Sequence, residues 1–273
     1  MSTARSATGD RPRRGARVLV VDDDVLSQEV ATGMLEELGF CVRVAGDGAQ
    51  AVRAAAGGFD LILMDVRMPV MDGISATRAI RAIPGCERLP IIAMSASAFP
   101  EDQRRCLEAG MNAHIPKPVD FGRMRTELAR WLPADVLPAM AAALPSASAS
   151  PQASGTEWEI DVAAGLVFFG GREDPYHRML RRFAVLRSGD VGLLRAALTS
   201  GNPQQAGRIA HSLKSMAATL GAHGMRAHSA ELERLIAEGN ATAIAAGVHV
   251  LDCALRAACA EIALRFPADP PPG

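Results

Sequence analysis

Between residues 17 and 132 one unit keeps recurring: a short apolar run that ends on a polar residue, then a helical stretch closed by glycine or proline. Arg17-Val-Leu-Val-Val21 runs into Asp22, Asp23 and Asp24, and a helix over 26–38 stops at Gly39. A second strand spans 41–45, and a helix over 48–56 is closed by Gly57 and Gly58. A third strand over 61–64 ends at Asp65, and the helix over 72–83 is broken by Pro84 and Gly85. A strand over 90–94 ends at Ser95, and a helix follows over 100–109. A short strand at 114–115 precedes Pro116-Lys-Pro118, and a helix over 122–131 closes the segment. Strands that alternate with helices predict an α/β domain built on a parallel sheet. Runs apolar on both faces fit a sheet covered by helices on both sides. Right-handed crossovers then bring the C-terminal ends of all five strands to one edge.

Residues 133–157 differ in kind. Four prolines punctuate an Ala/Ser-rich stretch with almost no charge, which reads as a flexible linker. Beyond it strand signals vanish. Helical periodicity covers 174–187, 190–199, 203–220, 223–238 and 241–265, with Gly201, Gly221 and Gly239 between helices, so the second part is an all-α bundle. The predicted organisation is a disordered tail over 1–16, an α/β domain over 17–132, the linker over 133–157, a helical bundle over 158–267 and a second disordered tail over 268–273.

With 29 basic and 30 acidic residues the chain lacks the basic excess of a nucleic-acid binder. No stretch reads as apolar for the length a bilayer needs, so no membrane insertion is expected. The Arg-rich N-terminus has no apolar segment of a secretory signal. Five scattered cysteines without Cys-x-x-Cys spacing fit reduced thiols and a cytoplasmic protein.

Ligands of parallel α/β sheets bind at the strands' C-terminal edge. The residues placed there are Asp22, Asp23, Asp65, Ser95 and Lys117. Three carboxylates suit a hard divalent cation such as Mg²⁺. An ammonium and a hydroxyl suit a phosphoryl group. Each residue alone reads equally as a turn or helix cap; their joint occurrence at four strand ends carries the argument.

Val20-Val-Asp-Asp-Asp24, Leu63-Met-Asp-Val-Arg-Met-Pro-Val-Met-Asp-Gly73, Ile92-Ala-Met-Ser-Ala96 and Pro116-Lys-Pro118 together resemble the receiver domain of two-component response regulators. The resemblance covers 17–132 and implies a flavodoxin-like five-stranded sheet in the order 2-1-3-4-5. It implies that Asp65 is the phosphoacceptor, that Asp22 and Asp23 form the acidic pair of the Mg²⁺ site, and that the Arg67 carbonyl completes the ligand set. It assigns Ser95 and Lys117 to the phosphoryl oxygens and makes the Lys117-Pro118 bond cis. His114 stands where many family members carry an aromatic switch residue; it also reads as a partly exposed surface side chain. Asp24 is expected at the start of the first helix, as a cap.

In the helix over 203–220, Ile209, Leu213, Met216 and Leu220 share one face at about 100° per residue. His211 lies nearly opposite, toward solvent, with Gly207, Lys214 and Ser215 beside it. By itself this fits an ordinary solvated histidine as well as a reactive one. Ala210-His-Ser-Leu-Lys214, Leu220-Gly-Ala222, Ala230-Glu-Leu-Glu233 and the opening segment Ile160-Asp-Val-Ala-Ala-Gly-Leu166 resemble the histidine-containing phosphotransfer (HPt) domain over 158–267. His211 would be its active residue and Lys214 its companion cation; Ser215 replaces the usual glycine.

The two resemblances together imply a phosphorelay protein. Phosphoryl groups would reach Asp65 from a sensor histidine kinase and pass through His211 to or from a downstream receiver or response regulator. Such a protein catalyses its own Mg²⁺-dependent phosphorylation, and no ATP-binding kinase domain is legible. The same pair of domains fits the C-terminal part of a hybrid sensor histidine kinase, or a sink in which phosphate runs in reverse. A phosphatase of the haloacid-dehalogenase type would need an acid two residues after Asp65, where Arg67 stands.

Overall fold

The computed structural model describes residues 15–95, 100–132 and 160–267. The predicted linker, residues 1–14 of the predicted N-terminal tail, the predicted C-terminal tail, Ala96 and Trp158 lie outside the described residues; the expected tail ends earlier than 16, since Ala16 is buried in the core beside β1 and accepts from the Cys41 amide.

Five strands form one parallel sheet: β1 (Arg17–Val21), β2 (Cys41–Ala45), β3 (Leu61–Asp65), β4 (Ile91–Ser95) and β5 (Ala113–Pro116). Their order is β2-β1-β3-β4-β5, the flavodoxin-like arrangement. The connecting helices are α1 (Val25–Glu37), α2 (Gly48–Ala55), α3 (Gly73–Arg81), α4 (Pro100–Glu108) and α5 (Phe121–Trp131). Boundaries shift by a residue or two from the sequence reading, the ordinary uncertainty of element ends.

The strands sort their side chains by the two-residue period of extended chain. Val18, Val20, Leu61, Leu63, Ile92 and Met94 face α1 and α5, where Leu35, Met124 and Leu128 meet them. Leu19, Val21, Ile62, Met64, Ile91 and Ala93 face the opposite layer, with Ala51, Ala76 and Ile80. Both faces are dry, which is why these runs read as continuously apolar. Asp24, Asp47, Asp72 and Asp120 cap α1, α2, α3 and α5, each accepting from the amide three residues on.

The rest is helical: α6 (Val162–Phe168), α7 (Glu173–Arg187), α8 (Asp190–Thr199), α9 (Pro203–Leu220), α10 (His223–Glu238) and α11 (Ala241–Arg265). Helix α6 was not resolved as a helix from periodicity; at seven residues it shows too few turns. It is anchored by Asp161, whose amide donates to the Gly221 carbonyl at 3.0 Å. Gly221 ends α9 with φ +79, and a Cβ there would lie 2.1 Å from the Asp161 carbonyl, so only glycine fits. Phe183, Leu194, Leu213, Met216, Leu232 and Leu251 fill the core.

One sequence expectation fails here. Helix α11, with 25 residues and a mean hydropathy of 1.5 over its most apolar stretch, is long and apolar enough to cross a membrane. Its alanines raise the hydropathy without bulk, and Val248, Leu251, Leu255 and Ile262 pack into the bundle core.

The two units are in contact. Leu26 of α1 belongs to the apolar core of the bundle, and the Ser27 hydroxyl donates to the Met216 sulfur at 3.8 Å.

Candidate functional site

The sheet edge assembles the predicted residues. Asp22 and Asp23 follow β1, Asp65 and Ser95 end β3 and β4, and Lys117 follows β5. Asp22, Asp23 and Asp65 each present a carboxylate oxygen within 4.8 Å of the others, the only such group of three or more potential ligands among the described residues. Lys117 Nζ donates to Asp22 Oδ2 and to Asp65 Oδ2, both at 2.6 Å. The Asp24 amide donates to Asp22 Oδ1 and the Arg67 amide to Asp65 Oδ1, each at 3.0 Å. The Lys117-Pro118 bond is cis. Gly73 lets α3 start against this edge: a Cβ there would lie 2.2 Å from the Asp65 carbonyl oxygen.

Asp22 and Asp65 are buried and Asp23 is exposed. Burial pushes the Asp22 carboxyl up to about 7; Lys117 pulls against this and Asp65 adds to it. Asp23, although exposed to solvent on one side, is raised as well, by partial desolvation against the sheet edge and then by Asp65. Lys117 moves upward because its two carboxylate partners outweigh the effect of its own burial. Three acids thus crowd a place that holds one ammonium. A hard dication with oxygen ligands fits the surplus negative charge, and the donor set is all oxygen.

Ser95 is buried, and its Oγ lies 3.0 Å from His114 Nε2. His114 is therefore more than a surface residue: it touches a predicted phosphoryl-binding hydroxyl.

His211 sits in the middle of α9. Leu213, Met216 and Leu220 are buried as the periodicity predicts, while Ile209 is only half-buried. The expectation of a solvent-facing imidazole is corrected: the His211 side chain is 18% exposed. Glu233 of α10 lies 2.8 Å from Nδ1, and Arg67 of the other unit puts Nη2 within 2.5 and 2.9 Å of the two ring nitrogens. Lys214 pairs with Glu233 instead of turning to the imidazole. Burial lowers the His211 pKa, the bond to Glu233 opposes this, and Arg67 adds to the lowering, so the ring is neutral at neutral pH. With Nδ1 donating to the Glu233 carboxylate, the Nε2 lone pair is left as the acceptor, and Arg67 Nη2 faces it at 2.9 Å.

The sheet edge and His211 open onto one cleft of about 760 Å³ between the two units, lined by Asp22, Asp23, Asp65, Arg67, Lys117, His211 and Glu233 among others. Gly207 and Ser215, predicted beside His211, also line it. Sequence reasoning missed Glu233 and the Arg67 side chain as neighbours of the imidazole. The stretch containing Glu233 was noticed, but a contact between α9 and α10 leaves no local spacing to read. It likewise missed the partners of Asp24. That residue caps α1 as expected, and also accepts from Arg187 and Ser212 of the bundle.

Comparison with known proteins accords with this geometry. Residues 18–129 match the response regulator receiver domain, and residues 178–263 match the Hpt domain. The chain belongs to the two-component signalling proteins, joining a receiver domain to an HPt domain, the modules of a phosphorelay. A probable histidine kinase 1 from Oryza sativa subsp. indica is 36% identical over 150 residues, covering 43% of this chain and 16% of that protein. The signal transduction histidine-protein kinase BarA of Escherichia coli (strain K12) is 36% identical over 125 residues, covering 45% of this chain and 14% of that protein. The chain thus spans about a sixth or less of these curated relatives. The receiver domain of a sensor histidine kinase from Pseudomonas aeruginosa, with magnesium coordinated in its active-site cleft, is 46% identical. It covers 43% of this chain and 97% of its own, with a TM-score of 0.41.

Proposed function

We propose that this protein accepts a phosphoryl group on Asp65 from the phosphohistidine of a sensor histidine kinase and exchanges it with His211, which passes it to or from a partner receiver. One observation carries the reading: the Asp65 carboxylate and the His211 imidazole, from separate units, line the same cleft.

Asp22, Asp23, Asp65 and the Arg67 carbonyl are the proposed Mg²⁺ ligands. When bound, the ion offsets charge on the phosphoryl oxygens. Lys117 neutralises the Asp65 carboxylate before phosphorylation and is free to pair with a phosphoryl oxygen afterwards. Ser95 Oγ is the second proposed donor to that group, and His114 holds its hydroxyl in place. Asp65 is the nucleophile toward the incoming phosphohistidine.

On the bundle side, Glu233 accepts a hydrogen bond from Nδ1–H of His211, and Nε2 attacks phosphorus once Arg67 yields its place beside it. The O–P bond to Asp65 breaks as the N–P bond forms, the carboxylate leaves with its electron pair, and Nδ1 keeps its proton. Lys214 balances the Glu233 charge. A cytoplasmic setting for both domains is part of this proposal, since that is where the kinase and receiver partners it calls for would meet them. A second reading, the receiver–HPt part of a hybrid sensor kinase, is favoured by the histidine kinases among the relatives, of which the chain spans only a fraction. A phosphate sink uses the same residues in the opposite direction.

The test incubates wild type, Asp65→Ala and His211→Ala with Mg²⁺ and a radiolabelled phosphodonor kinase, then assays acid and alkali stability of the label. The reading expects both alkali-labile and acid-labile label on wild type, neither on Asp65→Ala, and only the alkali-labile form on His211→Ala. Normal His211 labelling in Asp65→Ala would overturn the internal order and favour reverse flow.

A further inference from the structure

Asp24 is the third of three consecutive acids, and it stands outside the group of carboxylates that converge at the sheet edge. Its Oδ1 accepts from the Ser27 amide at 2.9 Å and caps α1. Its Oδ2 turns the other way, into the bundle, where Arg187 of α7 and Ser212 of α9 both donate to it. Arg187 is held in turn by Asp190 at 3.0 Å. The Arg187 and Asp24 side chains are only 15% and 9% exposed. This is a largely buried cluster in which Arg187 is shared by Asp24 and Asp190, and only Asp24 belongs to the receiver.

The chain positions give the contact its meaning. Asp24 is the residue after Asp23, and Ser212 is the residue after His211. A bond between them ties the sheet edge to the imidazole through the shortest stretch of backbone available on each side. Farther along α1 the same polarity repeats. Glu29 pairs with Arg182 and Glu37 with Arg172, acids on the receiver helix and arginines on the bundle. Leu26, which stands between Asp24 and Glu29 in the sequence, enters the bundle core.

We infer that Asp24 is a positioning residue that registers His211 against Asp65, and that the acid row of α1 selects this chain's own bundle as the partner of its receiver. The inference rests on the internal exchange proposed above. The transferred phosphoryl group leaves the Asp65 oxygen for His211 Nε2; Asp24 touches neither atom and acts by holding Ser212 and Arg187.

The test uses the full chain with Mg²⁺ and radiolabelled acetyl phosphate as donor to Asp65. Asp24→Asn keeps the helix cap, since asparagine caps as well as aspartate, and removes the charge that Arg187 meets. Wild type should pass label to His211 with a first-order rate independent of protein concentration. Asp24→Asn should load Asp65 to the wild-type level but transfer at least tenfold more slowly. Glu29→Arg should slow transfer too, and adding Arg182→Glu should restore it, which a general loss of structure would not do. Small-angle scattering on the unphosphorylated proteins should show a larger radius of gyration for Asp24→Asn. Wild-type transfer rates in Asp24→Asn, or Asp65 loading that falls in parallel with transfer, would overturn the inference. If wild type loads Asp65 and never labels His211, the internal relay itself fails. Scattering then still decides the role of Asp24 in docking, an unchanged radius in Asp24→Asn refuting it.

Discussion

Replacing Glu233 by glutamine keeps the size of the side chain and one acceptor oxygen, but removes the charge that His211 and Lys214 share. Burial alone would raise the Glu233 pKa; the bonds and charges of His211 and Lys214 instead bring it from 4.5 down to about 2. That depression corresponds to roughly 3 kcal/mol at about 1.4 kcal/mol per pH unit. Solvent screening of a side chain that is 23% exposed reduces the expectation, to about 1–2 kcal/mol. The folded carboxyl binds a proton less readily than the unfolded one. Its contribution is therefore complete above 4.5 and is lost as the pH falls toward about 2. Urea unfolding of wild type and Glu233→Gln, followed by circular dichroism at neutral pH and at about pH 3, reads this directly. The variant should be about 1–2 kcal/mol less stable at neutral pH, and the gap should shrink by more than half at about pH 3. A gap of equal size at both pH values, or none at neutral pH, would refute the assignment of Glu233 as the charged partner of His211 and Lys214.

Other outcomes follow from the same geometry. Asp23→Asn should weaken Mg²⁺ binding at least about tenfold in calorimetry, because it removes a charged ligand from the oxygen cluster. Gly73→Ala should destabilise the receiver by about 2–4 kcal/mol in denaturant melts and reduce labelling of Asp65, since the new Cβ must displace the Asp65 carbonyl. The His211 imidazole should titrate below its ordinary 6.5 by nuclear magnetic resonance. Because the folded ring resists the proton that the unfolded ring accepts, the stability it contributes at neutral pH declines as pH falls below 6.5. A midpoint at or above 6.5 would contradict its burial against Arg67.

The strands and the sheet-edge residues were legible because their signals are local. A run such as Arg17-Val-Leu-Val-Val21 ending on Asp22 specifies both a buried strand and the residue at its C-terminal edge. Sheet order and the cis Lys117-Pro118 bond came from family resemblance, not from pattern. What the sequence hid lies between elements. Glu233 lies 22 positions from His211 along the chain, on the next helix, and its contact depends on how α9 and α10 pack. Asp24 was readable as a cap, because capping is a matter of three residues. Its second bond, to Ser212, spans 188 positions and two separately folding patterns. The burial of His211 was misjudged for the same reason: the helical wheel of α9 places the ring opposite the bundle core but knows nothing of Arg67.

The cleft that brings Asp65 and His211 together has a consequence for every outside partner. On the function proposed above, a kinase approaching Asp65, or a receiver approaching His211, would meet a surface already occupied by the other half of the same molecule. Its apparent affinity is the intrinsic one scaled by the fraction of time the halves stand apart. A preference for the closed form of about 1.4 kcal/mol weakens that affinity roughly tenfold. On that reading, the strength of the arginine pairs along α1 sets how far the closed form holds outside partners off.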